Sequence, residues 1–402
     1  MNGSRWANAE LAVTPDMIAG VEAYNNVLLT GNFIEDRGLF WNQETGDDYL
    51  PSLKSGLQVQ WTFSKLCNFS CTHCFNGSSP YWKGFEADAF RVVDNLLTSK
   101  PYNVCLCGGE PFVWKPFYEI VEKMRAGGIP LVSTVSNGYA ATADRIKRAH
   151  EAGITNMQIS LDGITDDQFM DLRLKSDGLA KATRAVEECL KYDWQDLSVS
   201  FTPTLNNVAS WGDFCRYWAE RGVAHIRTQP FMPIGRGTGA LALAPSDEQY
   251  LRFHMETLDL RDELPGCFVD WGDPLEHVWF YTQTPAHPWS YGIQSDGWYE
   301  LSCYIPVLVG SALEHPIEDF WEIGMKEMWN APVMRRFGES LTHMAAMSEL
   351  ELEIYAEESL HIDLFDDEQR AIFMESDDLD LLRSISRRNI ELHMERHGGG
   401  AS

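Results

Sequence analysis

Leu57-Gln58-Val59-Gln60-Trp61-Thr62-Phe63 reads as a β-strand, and a few residues later comes Cys67-Asn68-Phe69-Ser70-Cys71-Thr72-His73-Cys74. β-branched and aromatic residues favour the extended chain in the first stretch. Three thiols on one short loop can hold three corners of a cubane iron-sulfur cluster and leave the fourth iron open to another molecule. The same residues admit two other readings: small buried hydrophobes, or a zinc site completed by His73. His73 stands next to Cys74 and is poorly placed to aim at the same centre.

Outward from this stretch the chain alternates apolar strands with amphipathic helices, the pattern of parallel β/α units. Five further strands are expected at Tyr102 to Cys107, Ile129 to Ser136, Thr155 to Leu161, Leu197 to Thr204 and His225 to Pro230. Helical spacing falls between them, at Pro116 to Ala126, Thr142 to Ala152, Ala180 to Lys191 and Trp211 to Gly222. Six units predict an α/β fold, a partial (β/α)6 barrel of the TIM-like kind, with chemistry at the C-terminal ends of the strands.

Those strand ends carry polar turns. Cys107 is followed by Gly108-Gly109-Glu110-Pro111, the third strand closes on Ser136-Asn137-Gly138, and the fourth on Ser160-Leu161-Asp162-Gly163. Glycines let backbone approach a ligand, and a carboxylate accepts strong hydrogen bonds from an ammonium group. With these turns in register behind a Cys-x3-Cys-x2-Cys loop, residues 57 to 237 resemble the radical S-adenosylmethionine (SAM) superfamily. The resemblance implies one 4Fe-4S cluster on Cys67, Cys71 and Cys74, with SAM on its open iron. It implies further that Gly108, Gly109 and Glu110 hold the amino group of SAM, that Arg173 meets its carboxylate, and that Asn137, Ser160 and Asp162 serve its ribose and carboxylate. Pro233 to Gly237 resembles the turn that closes over the adenine.

Beyond residue 240 the alternation stops. A helix is expected from Pro245 to Leu260, and Gly292 to Cys303 is similar to the SPASM or twitch extension of the same superfamily. Only Cys267 and Cys303 remain after 240, too few for a second cubane on four cysteines. Cys303 is the candidate catalytic thiol, a hydrogen-atom donor to a substrate radical, while Cys105, Cys107, Cys189 and Cys215 read as structural. Ser198, Ser200, Thr202 and Thr204 share one face of the fifth strand and His225, Arg227 and Gln229 one face of the sixth, both candidate cavity walls. The expected domains are an N-terminal extension (1–56), the barrel (57–240), a smaller α+β extension (241–335) and an acidic helical tail (336–402). Within the N-terminal extension, a helix is expected near Pro15 to Asn26 and a strand pair around Gly31 to Trp41.

The 402 residues carry 32 Lys plus Arg against 59 Asp plus Glu, a net charge of −27. That balance excludes a general polyanion binder and so a nucleic-acid partner. No run approaches a membrane span and no export signal opens the chain, so a cytoplasmic protein with reduced thiols is expected. The resemblance implies reductive cleavage of SAM, with electrons from a flavodoxin or ferredoxin, and hydrogen-atom abstraction by a 5′-deoxyadenosyl radical. With no auxiliary cluster expected, a redox-neutral outcome is favoured, such as epimerisation, decarboxylation, elimination or rearrangement. Polar strand faces and an aromatic second domain favour a sugar, aminocyclitol or nucleoside-like small molecule. A ribosomally made precursor peptide is the alternative substrate, and a zinc-stabilised binding protein without catalysis the remote one.

Overall fold

The computed structural model describes residues 55–272, 278, 282, 290–341, 343–348 and 359–398. The helix and strand pair expected before residue 42 lie outside them. Strands β1 (Gln58–Thr62), β2 (Asn103–Cys107), β3 (Leu131–Ser136), β4 (Asn156–Ser160), β5 (Asp196–Phe201), β6 (His225–Thr228) and β7 (Phe268–Trp271) form a continuous parallel row. Their connections carry helices α1 (Ala89–Ser99), α2 (Phe117–Ala126), α3 (Ala143–Ala152), α4 (Asp166–Arg173), α5 (Gly178–Cys189), α6 (Trp211–Glu220) and α7 (Asp247–Glu263). Helix α1 was not expected from the sequence. It opens on an Asp88 cap, whose side chain accepts from the Phe90 and Arg91 N–H groups, and it buries Val92, Val93 and Leu96.

Strand periodicity decides which side chains meet the core. Val59, Val104, Leu106, Ile159, Val199 and Ile226 are fully buried, each contributing about 1.5–3 kcal/mol relative to exposure. The alternate positions Gln60, Cys105, Cys107, Val135, Gln158, Ser200 and Arg227 all line one cavity. Six neighbouring strands sharing one interior is the curvature of a partial barrel.

Two expected domain limits are corrected. The row does not stop near 240, because α7 leads into β7, which pairs with β6 in the register Ile226↔Val269. At the other edge β8 (Ser290–Ile293) runs parallel to β1, Val59 opposite Tyr291. Strands β9 (Trp298–Ser302) and β10 (Ile305–Ser311) follow antiparallel, and the whole is one 11-stranded sheet. The segment after 335 is no separate tail either. Helix α8 (Ile317–Ile323) precedes α9 (Pro332–Ser340), which crosses that limit, and β11 (Leu360–His361) pairs with β10. Helices α10 (Asp367–Glu375) and α11 (Leu379–His397) then bury Phe373 and Leu382 against this half. Acidic charge dominates the composition there, but apolar residues spaced along it reach the core.

Polar bridges lock the far edge of the row. His225 on β6 lies 2.8 Å from Asp196 on β5 through Nδ1, and 3.9 Å from Asp270 on β7 through Nε2, an ion-pair distance too long for a hydrogen bond. Burial pulls the His225 pKa down, but the two carboxylates outweigh it and hold the pKa above its ordinary value. A raised folded pKa stabilises most where the unfolded imidazole is also protonated, below about pH 6.5, and the gain disappears as pH climbs through the folded value. The urea midpoint is therefore expected to fall between pH 6 and pH 8 by more in the parent than in His225→Gln. Parallel pH profiles for the two proteins would remove His225 from the account.

Candidate functional site

The loop after β1 is tied down on three sides. The Cys67 N–H donates to the Ser79 carbonyl at 3.2 Å, the Ser79 N–H to the Lys65 carbonyl at 3.0 Å, and the Thr72 N–H to Leu172 of α4 at 2.9 Å. Arg236, beyond β6, completes the frame: Nε donates to the Cys71 carbonyl at 2.8 Å and Nη2 to the Ser78 carbonyl at 2.7 Å. Gly235 permits this approach, with φ at 55° and a Cβ position that would fall 2.1 Å from the Phe75 carbonyl oxygen. The 233–237 turn thus clamps the cysteine loop, a role its sequence did not reveal.

Cys67, Cys71 and Cys74 all line the barrel cavity, whose volume is about 270 Å³. Among the described residues, only Glu314, His393 and His397 bring three candidate ligand atoms within 4.8 Å of one another. Three thiols on one loop facing one cavity are the donor set that three irons of a cubane take. His73 is kept neutral, its pKa lowered to about 4 by burial and then by Arg173. Burial pushes Cys67 up to about 12 and Cys71 to about 11. These thiols are unreactive on their own and need the charge of bound metal to ionise.

The Gly108–Pro111 turn docks directly on that loop. The Gly109 N–H donates to the Ser64 carbonyl at 2.6 Å and the Glu110 N–H to the Leu66 carbonyl at 3.0 Å. Glu110 is fully buried and accepts from the Phe112 N–H at 3.2 Å, the Ser136 hydroxyl at 2.8 Å and the Asn137 N–H at 2.9 Å. Burial nonetheless raises its pKa to about 7, against those hydrogen bonds. No cation pairs with it among the described residues, so an ammonium group entering the cavity meets a carboxylate short of positive charge. The Asn137 side chain donates to Asn68 at 2.8 Å and touches the Cys67 sulfur at 3.7 Å.

Ser160, Arg173, Gly108, Gly109, Glu110 and Asn137 share the cavity with the thiols. Asp162 does not. It is fully buried with φ at 61°, and its carboxylate is occupied by Arg173 Nε at 2.6 Å and the Thr202 N–H at 2.9 Å. In this arrangement the Asp162 carboxylate is a strut that holds Arg173. Ser200 and Thr202 reach the cavity as their strand face predicts, whereas His225 is held in its carboxylate bridge at the edge of the row.

The family model described as the radical SAM superfamily matches residues 61–211. Residues 61–211 are a radical SAM domain. Mycofactocin maturase MftC of Mycobacterium ulcerans is 28% identical over 193 residues, 48% of this chain and 52% of that protein. A probable GTP 3′,8-cyclase of Metallosphaera sedula is 25% identical over 199 residues, 47% of this chain and 60% of that one. The chain thus spans about half the length of the first curated relatives it matches. In three dimensions it is similar to Streptococcus suis SuiB bound to precursor peptide SuiA, with a TM-score of 0.54, 13% identity, and coverage of 67% of this chain and 65% of that one. A radical SAM domain takes a 4Fe-4S cluster and SAM, and three thiols with Glu110 in one cavity fit both groups.

Sequence reasoning missed two cavity residues of the radical SAM domain. Cys105 and Cys107, read as structural, face the same interior as Cys67, Cys71 and Cys74, together with Cys303 from the β9–β10 turn. A hydrogen bond with Cys107 draws Cys105 down to about 7 against the effect of burial, while Cys107 is pushed up. Cys-x-Cys immediately before Gly-Gly-Glu-Pro was the available signal. Cys303 also lines a larger cavity of about 600 Å³ between the barrel and the C-terminal half, where Lys65, Asp296, Glu300 and His361 meet apolar walls. Cys267 neighbours Cys215 of α6. None of the nine cysteines is in a disulfide, and no helix among the described residues is long and apolar enough to cross a membrane.

The glycine pair gives a direct test of the turn. A Cβ on Gly109 would fall 1.8 Å from the Leu66 carbonyl oxygen, which is backbone and cannot swing away. Gly109→Ala is expected to lower SAM affinity at least about tenfold, a loss of 1.4 kcal/mol or more, and to lower the thermal midpoint, read by equilibrium dialysis and calorimetry. Unchanged affinity would remove the turn from the SAM site.

Proposed function

We propose that the protein is a radical SAM enzyme that removes a hydrogen atom from a carbon of a precursor peptide and completes a redox-neutral modification of it. The observation that carries the reading is the single cavity shared by Cys67, Cys71, Cys74, the Gly108–Glu110 turn, Ser160 and Arg173. Cys67, Cys71 and Cys74 would hold the cluster. Glu110 would accept the SAM ammonium and Arg173 would face its carboxylate, with Ser160 and Asn137 beside them. Bound there, the reduced cluster and SAM supply a 5′-deoxyadenosyl radical. The chain orients the substrate carbon and excludes water and stray hydrogen donors.

Cys303 stands where the cofactor cavity meets the larger one. A thiol there would return a hydrogen atom to a substrate radical, and one electron from the reductant with one proton would restore the thiol from the thiyl left behind. With Cys267 beside Cys215, one cluster per chain is proposed, and the half after β7 is read as a SPASM-like extension without its own cluster. The fold shared with SuiB bound to precursor peptide SuiA is what suggests a peptide. A small polar molecule is the second reading, favoured by a cavity of about 600 Å³ holding the buried carboxylate Glu300. A flavodoxin or ferredoxin would supply electrons in the cytoplasm.

The test is anaerobic reconstitution with iron and sulfide, then SAM and dithionite with candidate substrates. Deoxyadenosine at about four irons per chain supports the reading, whereas bound zinc without deoxyadenosine overturns it. Peptides encoded beside the gene, compared with sugars and nucleosides, separate the two substrate readings.

A further inference from the structure

Away from the cofactor cavity, α11 carries His393 and His397, four residues apart and so on one helix face. Glu314, in the turn after β10, faces them, and one ligand atom from each of the three lies within 4.8 Å of the others. We propose that Glu314, His393 and His397 bind a divalent ion of the zinc class and so fasten the end of α11 to the turn after β10.

The surrounding hydrogen bonds set the histidines up for this. His393 Nε2 lies 2.9 Å from the Asp296 backbone oxygen. A carbonyl only accepts, so Nε2 carries the proton and Nδ1 keeps its lone pair. A ring N–H given to a backbone carbonyl is the arrangement that orients metal-binding imidazoles. His397 Nε2 is 2.9 Å from Glu314 Oε1.

Arg396 Nη1 contacts both Glu314 oxygens, at 3.0 and 3.1 Å, and is the competitor for that carboxylate. Its side chain is 56% exposed, so it can turn into water at small cost. Two imidazoles and a carboxylate suit zinc, cobalt or nickel better than calcium or magnesium, and the partly exposed side leaves room for a water as fourth ligand. The remaining nearby charges include Asp363, which feels the Glu314 carboxylate, and Asp296 and His361, 3.8 Å apart, both of which line the larger cavity. Ion binding would therefore stiffen one wall of that cavity without touching the radical SAM cofactors.

The test is cobalt(II) titration of the metal-stripped full-length chain, compared with His397→Ala and Glu314→Gln. One equivalent lacking a thiolate charge-transfer band should be present in the parent and absent from both variants. Cobalt should raise the parent's thermal midpoint by about 4 °C at a hundredfold excess over Kd and leave the variants unmoved. Equal cobalt stoichiometry in parent and variants, or cobalt bound only with thiolate bands, overturns the site. Glu314 sits at the surface of the cluster, so Glu314→Gln keeps the comparison usable should His397→Ala fail to fold.

Discussion

Cys71→Ala is expected to abolish iron binding and deoxyadenosine formation together, both dropping to the level of samples without enzyme. Alanine keeps the backbone, and the Cys71 carbonyl that receives Arg236 remains in place. The loop's ties through Ser79, Thr72 and Arg236 do not involve the sulfur. The circular dichroism spectrum should therefore match the parent while iron falls from about four per chain to near zero. Thiolates acting as one unit do not lose function in thirds, so Cys67→Ala and Cys74→Ala should fall equally far. A Cys71→Ala protein that keeps its iron would show that the cluster lies elsewhere, and the radical chemistry with it.

The second large effect is on stability. Asp162→Asn should cost about 3 kcal/mol, because it leaves Arg173 charged in a site where removing one partner of a buried pair is strongly destabilising. Both side chains are nearly sealed from water, at 10% and 0% exposure. Asparagine tolerates the left-handed backbone at this position and still accepts from the Thr202 N–H, so the loss isolates the charge. Chemical denaturation reads it as a lowered midpoint. Asp162→Asn combined with Arg173→Met should recover most of the stability without recovering SAM affinity, separating the strut from the ligand contact. A single variant as stable as the parent would mean that Arg173 finds another partner.

The cysteine loop and its parallel scaffold were legible because their signals are local. Three thiols in eight residues and alternating strands need no distant partner to be read. Cys105 and Cys107 were not legible because a parallel strand is covered on both faces, and sequence alternation alone does not say which parity meets the cavity. The partner of Asp162 was hidden for a related reason: resemblance placed the residue at the SAM rim, and only the structure shows its carboxylate meeting Arg173, eleven residues on. The edge pairings were hidden more deeply. β8 has four residues and β11 two, and a short strand gains its identity from a neighbour far away in the chain. Arg236 reads as one more basic residue until the two carbonyls that its side chain reaches are known.

The pairing of β1 with β8 has a consequence for evolution and for engineering. The strand that launches the cysteine loop is also the seam along which the C-terminal half is sewn on. The catalytic barrel is therefore no cassette that can be lifted out and joined to a new substrate half. A chain ended at 240 would expose the backbone edge of β1 on one side and of β6 on the other, both open to pairing with another molecule. Changing side chains on the cavity walls therefore leaves the sheet intact, whereas exchanging the half joined to β1 breaks it.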